Sequence, residues 1–458
     1  MHRAILATAT LVAIPLGTRA EDGAVRLIVR PMAAPKPAMK YQLLPEVREM
    51  SPGNAMQWYM RCFAEQRNFF FSKEGVAQRN NYRAMSLAEL RSAKLTGYGG
   101  SALTQADWAA RLNTCDWEVL RRVQSDGMDM TLPELGPLKT LAVALQVRFR
   151  IEVANDQFDD AVRTAKTMFA LARHLGDYPA ETANLVGMSV AQLALDALEE
   201  MVQQSGCPNL YWALTDLPNP LVELRKGVQG DRSLVAAELR ALRADVPMTA
   251  AQLEEFVSRL SGGLGFTREQ AGQEPRSLRA ALAARVKDTA RVQAAHKGLV
   301  ADEGLSAVFQ KFEPVQIILL DEKREYEALR DERLKLLGLP LWQVDALTRG
   351  TEPGAGGDGL FADLLPQIVK ARRTQGQLER RLALLRQVEA LRKYAADHRG
   401  MLPERLAELA GPSPTDPFTG KPFDYSRAGA IAHLRSDRPR GEEKNSAFNL
   451  HYEVTIKK

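Results

Sequence analysis

Cysteine is scarce: Cys62, Cys115 and Cys207 are the only three in 458 residues. That excludes a scaffold stapled by disulfides. No two of them form a Cys-x-x-Cys pair, which argues against a structural zinc site. All three stand among apolar or aromatic neighbours and are expected as buried thiols, although a bridge between two of them stays open. Histidine is also rare, with six residues. His296, His398, His433 and His451 show no metal-ligand spacing along the chain. No Gly-Lys-Ser/Thr follows an apolar strand, so the glycines of "TRGTEPGAGGDG" read as a linker and not as a phosphate loop. No cofactor is implied.

Long apolar runs are missing as well. The longest, "AILATATLVAIPLG", is shorter than the ~20 residues that span a bilayer. It follows "MHR" and precedes Thr18-Arg19-Ala20, the order of a secretory signal peptide over residues 1–20. No cysteine follows it, which argues against lipidation. The expectation is export to the periplasm or beyond, with no transmembrane anchor in the mature chain.

What is present is ordinary globular composition, 45% apolar and 26% charged, enough for a large core. The net charge of +5 is uneven. From Pro366 to Lys458 there are 18 Lys and Arg against 11 Asp and Glu. A mildly basic end is compatible with several anionic partners and specifies none. It shows no aromatic-lined groove, so no sequence-specific binding of nucleic acid is expected.

Residues 21–50 read as an extended arm. Pro31, Pro35, Pro37 and Pro45 forbid regular helix there, while Tyr41, Leu43 and Leu44 favour docking on a surface. Residues 51–347 read as helical. Leu138, Leu141, Ala142, Leu145 and Phe149 recur at helical spacing, as do Phe158, Ala161, Ala165, Met168 and Ala172. The stretch from Ala180 to Val202 is apolar nearly all round, as for a helix packed on several sides. Thr249 is placed to cap a helix. The hairpin around residues 154–175 is similar to one tetratricopeptide unit, without a second clear copy. Residues 348–360 form the glycine-rich linker.

Residues 361–458 carry a long helix, with Leu378, Leu382, Leu385, Val388, Leu391 and Ala395 on one stripe. Arg372, Arg373, Arg380, Arg381 and Lys393 are expected on its other faces. "DPFTGKPFDY" follows. Pro417 presets a turn, Asp416 can accept from the turn's own amides, and Gly420 can take positive φ. Phe423 and Tyr425 are then expected to cover the long helix. "AIAHL" and "LHYEVTI" add two alternating strands, giving a small three-stranded antiparallel sheet. The fold class is therefore mainly α, a helical-hairpin array, with a small C-terminal α+β module.

That module resembles the head of type II secretion major pseudopilins and other type IV pilin-like proteins. The likeness rests on Ala390, Leu391, Tyr394, Gly400, Leu402, Pro403, Leu406 and Leu409, then Asp416, Pro417, Phe418, Gly420, Pro422, Phe423 and Tyr425. It covers about forty residues. The N-terminal transmembrane helix of that family is missing, so polymerisation as a pilus is not expected. The resemblance implies a calcium loop after the hairpin, where Asp437, Glu442, Glu443 and Asn445 would be the donors. Arg435, Arg438, Arg440 and Lys444 oppose it, and a solvated loop is expected. The whole chain also resembles uncharacterised exported proteins of planctomycete-type bacteria, a likeness that implies no activity.

No catalytic constellation is legible. Ser189 in "VGMSVA" lacks the strand-turn-helix setting of a nucleophile elbow. His174 beside Arg173 reads as a cation at a helix end. The run Asp321, Glu322, Glu325, Glu327, Asp331 and Glu332, interleaved with cations, reads as an exposed helix with local ion pairs and lacks the Glu-x-x-His pairs of a di-iron bundle. The leading expectation is a non-catalytic interaction or scaffold protein of the bacterial envelope with a protein partner. The alternatives are an enzyme whose site is assembled from distant helices, and a basic surface binder.

Overall fold

A computed structural model describes residues 24–270, 277–303, 309–348, 359–439, 442, 445 and 448–457. Residues 1–20, read above as a signal peptide, and most of residues 348–360, read as a linker, lie outside these residues. The chain is mainly helical with a small C-terminal sheet. Helices of ten residues or more are α1 (Ala55–Glu65), α2 (Lys73–Ala84), α3 (Gly100–Ala110), α4 (Leu135–Ala154), α5 (Phe158–Gly176) and α6 (Glu181–Met201). They continue with α7 (Arg225–Leu239), α8 (Ala250–Gln270), α9 (Leu278–Lys287), α10 (Thr289–Glu303), α11 (Pro314–Leu334) and α12 (Ile368–Asp397).

The hairpin of α4 and α5 forms where the apolar periodicity places it, and α6 packs on both. Small residues permit the close approach: Ala142, Ala144, Ala161, Ala165, Ala172, Ala183, Ala191 and Ala194 are all fully buried. A polar cluster crosses this layer. Arg148 on α4 donates from both terminal nitrogens to Asp107 on α3, at 2.7 and 2.9 Å. Thr164 on α5 donates to Glu152 on α4 at 2.6 Å.

Burial pushes the Glu152 carboxyl up to about 7. Arg148, 3.6 Å away, opposes this, but Asp107 has already engaged that guanidinium. Between about pH 4.5 and 7 the unfolded chain therefore ionises this group while the folded chain keeps it neutral, and stability is lost as pH rises through that window. Glu152→Gln removes the titration. Relative to the parent it should be more stable at pH 8 than at pH 5 by about 2 kcal/mol. Urea melts at the two pH values check this, and an equal difference at both would refute it.

Among the described residues there are six short strands: β1 (Ala24–Val29), β2 (Ser51–Asn54), β3 (Leu112–Thr114), β4 (Asp424–Ala428), β5 (Ile431–Arg435) and β6 (His451–Ile456). The expected antiparallel meander is present as β4-β5-β6. A fourth strand joins it. Residues 24–29 of the arm pair in parallel with β6, Ala24 opposite His451 and Val29 opposite Ile456. The reason is apolar alternation: Val25, Leu27 and Val29 face the same core as Tyr452, Val454 and Ile456. Farther along, the arm lies on the helices, with Leu43 buried and the Tyr41 hydroxyl donating to Asp159 at 2.8 Å.

The long helix runs from Ile368 to Asp397, with Arg399 and Gly400 just beyond it at positive φ. Its apolar stripe faces the core as read. The arginines expected on its other faces do not face solvent there. Arg380 and Arg392 are each 1% exposed. Arg392 pairs with Glu389 at 2.8 Å and donates to the carbonyls of Arg30, Pro208 and Cys207. Arg381 reaches across to α6, to Asp196 and Glu199, both at 2.8 Å. The helix is surrounded, so even its polar faces meet protein. One apolar core runs from the sheet through α12 to α4, α5 and α6. A second core joins α7 to α11 and residues 360–365.

Candidate interaction groove

The residues singled out in the sequence divide into anchors and bystanders. Asp416 is 1% exposed. One of its carboxylate oxygens accepts from the Phe418 amide at 3.0 Å and from Arg380 at 3.2 Å, and the other accepts from the Ser436 hydroxyl. Arg380 also lies 4.0 Å from the Phe418 ring centroid and donates to the carbonyls of Phe448 and Asp437. Pro417 opens the turn, and Gly420 closes it at φ +68° against the Trp342 ring. Phe423 is buried in the main core, and the Tyr425 hydroxyl donates to Pro403 O at 2.8 Å. The motif is a structural clasp on the long helix.

Of the four calcium candidates, Asp437, Glu442 and Asn445 fall among the described residues. The carbonyl of Asp437 serves Arg380, Glu442 pairs with Arg373 at 3.1 Å, and Asn445 donates to Glu442 at 2.9 Å. Glu443 lies outside the described residues. His433 and His451, unrelated in sequence spacing, meet across β5 and β6 with ring nitrogens 3.1 Å apart. Among the described residues no group of three His, Cys, Asp or Glu is placed to hold a metal ion. The three thiols are unbridged, with Cys62 and Cys207 buried and Cys115 half-buried.

Two expectations about charge are corrected. His174 is not a capping cation: burial holds its imidazole down at about 4, and it faces the Tyr59 hydroxyl at 3.0 Å. The acidic run on α11 is not wholly exposed. Glu322 is 2% exposed and accepts from Arg285 at 3.0 Å, Arg291 at 2.7 Å and the Leu360 amide at 2.6 Å. It ties α9, α10 and the end of the linker to α11. Ser189 donates to Leu185 O within α6, as an interior serine does.

Sequence reasoning missed a trough of about 690 Å³ between α8, α9 and the start of α11. Met248, Leu253, Val257 and Leu282 form its buried floor, and Val286 and Val315 its half-buried walls. The polar rim holds Thr249, the Glu254–Arg279 ion pair, Lys287 and Glu313. Its frame is fixed locally. Thr249 caps α8 as read, accepting from Gln252 N at 3.3 Å while the Gln252 side chain accepts from Thr249 N at 2.8 Å. Buried Gln316 accepts from Met248 N at 2.9 Å and donates to the carbonyls of Arg243 and Val246, pinning the loop before α8 to α11. Such a trough can take the apolar face of a helix. No sequence signal marks the trough, because Met248, Leu253, Val257 and Leu282 belong to the second core and Val286 and Val315 pack against it.

Among the described residues no helix is long and apolar enough to cross a membrane. Neither family models, nor curated proteins, nor solved structures match this chain.

Proposed function

We propose that the protein is a non-catalytic interaction scaffold of the bacterial envelope, holding a partner protein by an amphipathic helix laid along α8 and α9. The observation that carries this is the apolar trough with its polar rim. An aliphatic floor bounded by charges matches helix-in-groove recognition, in which side chains one turn apart fill the floor and the rim fixes direction. Lys287 and Glu313 have no ion-pair partner among the described residues, so they complement a helix bearing an acid toward one and a base toward the other. The signal-peptide order at residues 1–20 and the pilin-like terminal motif support an envelope setting.

The test is affinity capture from envelope extract with the full chain and with Val286→Asp, a half-buried wall position. A partner retained by the parent should be lost at least tenfold by Val286→Asp and weakened by Lys287→Glu, with the melting temperature of both variants within a few degrees of the parent. Capture indifferent to both substitutions, or no groove-dependent partner, overturns the reading.

A further inference from the structure

A second concavity, independent of the groove, is chemically unlike the rest of this charged chain. It encloses about 350 Å³ where α1 ends, α2 passes and the loop into α3 folds over. Its lining is Gln66, Phe69, Gln78, Tyr82, Leu95, Thr96, Tyr98 and Ser101, with Gly97, Gly99 and Gly100. No lining residue carries a formal charge. Four cations adjoin lining residues in sequence, Arg67, Arg79, Arg83 and Lys94, but none of them lines the pocket, and Arg79 is turned inward, donating to the carbonyls of Phe69 and Phe70.

Three features bear on a ligand. Phe69, Tyr98 and Tyr82 form a chain of edge-on rings, with centroids 5.4 and 5.8 Å apart. Around them stand neutral hydrogen-bonding groups held in place by one another. Gln66 donates to Ser101 at 3.0 Å and Gln78 to the Tyr82 hydroxyl at 3.4 Å, leaving each amide oxygen as an acceptor. The Tyr98 hydroxyl is buried and lacks a hydrogen-bond partner, a state that in a native protein calls for an explanation. The third feature is the loop wall. Gly97, Gly99 and Gly100 all have positive φ, and a Cβ at Gly97 or Gly100 would meet nothing within 4 Å. Gly97 and Gly100 thus leave bare backbone beside open space.

The chemistry of this lining selects among ligand classes. A charged ligand would lose hydration without gaining a counter-charge. A purely apolar one would leave the amides and hydroxyls unpaired. A neutral polyhydroxylated ring meets both needs: its C–H face rests on an aromatic face, and its hydroxyls reach the glutamine oxygens and exposed peptide groups. The volume lies at the small end of the range for small-molecule sites. We propose that this pocket between α1, α2 and the Leu95–Ser101 loop binds a neutral sugar ring.

The experiment is saturation-transfer NMR and calorimetry on the full chain with glucose, N-acetylglucosamine and glucuronate at millimolar concentration. At least one neutral sugar should bind, and glucuronate should bind at least tenfold more weakly. Gln78→Ala and Gln66→Ala, at exposed and half-exposed positions, should each weaken the neutral sugar about fivefold, the loss of one hydrogen bond. Val286→Asp in the distant groove should change nothing, which separates this inference from the scaffold reading. Absence of binding by both neutral sugars, equal binding of glucuronate, or indifference to both glutamine substitutions would overturn it.

Discussion

Arg381→Ala should destabilise the folded chain by about 3–5 kcal/mol, the cost of removing one partner from a buried ionic cluster. The guanidinium spans Gln192, Asp196 and Glu199 on α6, and the Tyr452 hydroxyl of β6 donates to Glu199. Asp196 and Glu199 lie one turn apart, and their side chains are each 7% exposed. Without Arg381 the buried Asp196 and Glu199 carboxylates lose the cation they share. The substitution would consume much of the ~5–15 kcal/mol that typically separates folded from unfolded chains. The triple variant Arg381→Met, Asp196→Asn, Glu199→Gln removes the charges together and should recover most of the loss. Denaturant melts of both decide the matter. A loss below about 1 kcal/mol for Arg381→Ala would mean that the cluster is hydrated.

Phe423→Ala is expected to cost a similar ~3–5 kcal/mol, here from transfer and cavity terms. Phe423 is 4% exposed and belongs to the core that runs from the sheet through α12 to α4, α5 and α6. The loss should therefore appear in the main unfolding transition of the full chain, with fluorescence and far-UV dichroism moving together. An early, separate transition confined to the C-terminal residues would contradict a shared core.

Elements with strong local grammar were legible in the sequence. The helices α4, α5 and α6 follow from apolar periodicity, the cap at Thr249 from its side-chain chemistry, and the turn at Asp416–Gly420 from its residue types. What escaped is what depends on distant partners. A surface arginine and a buried one look alike in a sequence, because burial is decided by whether a carboxylate or carbonyl waits on another element. Arg380 finds Asp416, Arg381 finds Glu199, and Arg392 finds carbonyls at positions 30, 207 and 208. His174 was misread for the same reason, its neighbour Tyr59 being 115 residues away. Strand β1 was visible only as weak alternation, since its partner lies at the other end of the chain. Neither concavity left a motif, because each is lined by residues common on any helix or loop.

The parallel pairing of β1 with β6 has a temporal side. In the sheet order β1-β6-β5-β4, the strand latest in sequence sits between the earliest and the fifth. A polypeptide emerging from its amino end would hold β1 unpaired until residues 451–456 arrive. Closing a loop that long delays the reward for pairing, so this sheet should be among the last parts to form. Tyr452 arrives on the same strand, and with it the hydroxyl that Glu199 accepts from. A chain cut short before position 451 would leave facing strand edges open at β1 and β5, a sticky intermediate that a chaperone would have reason to hold.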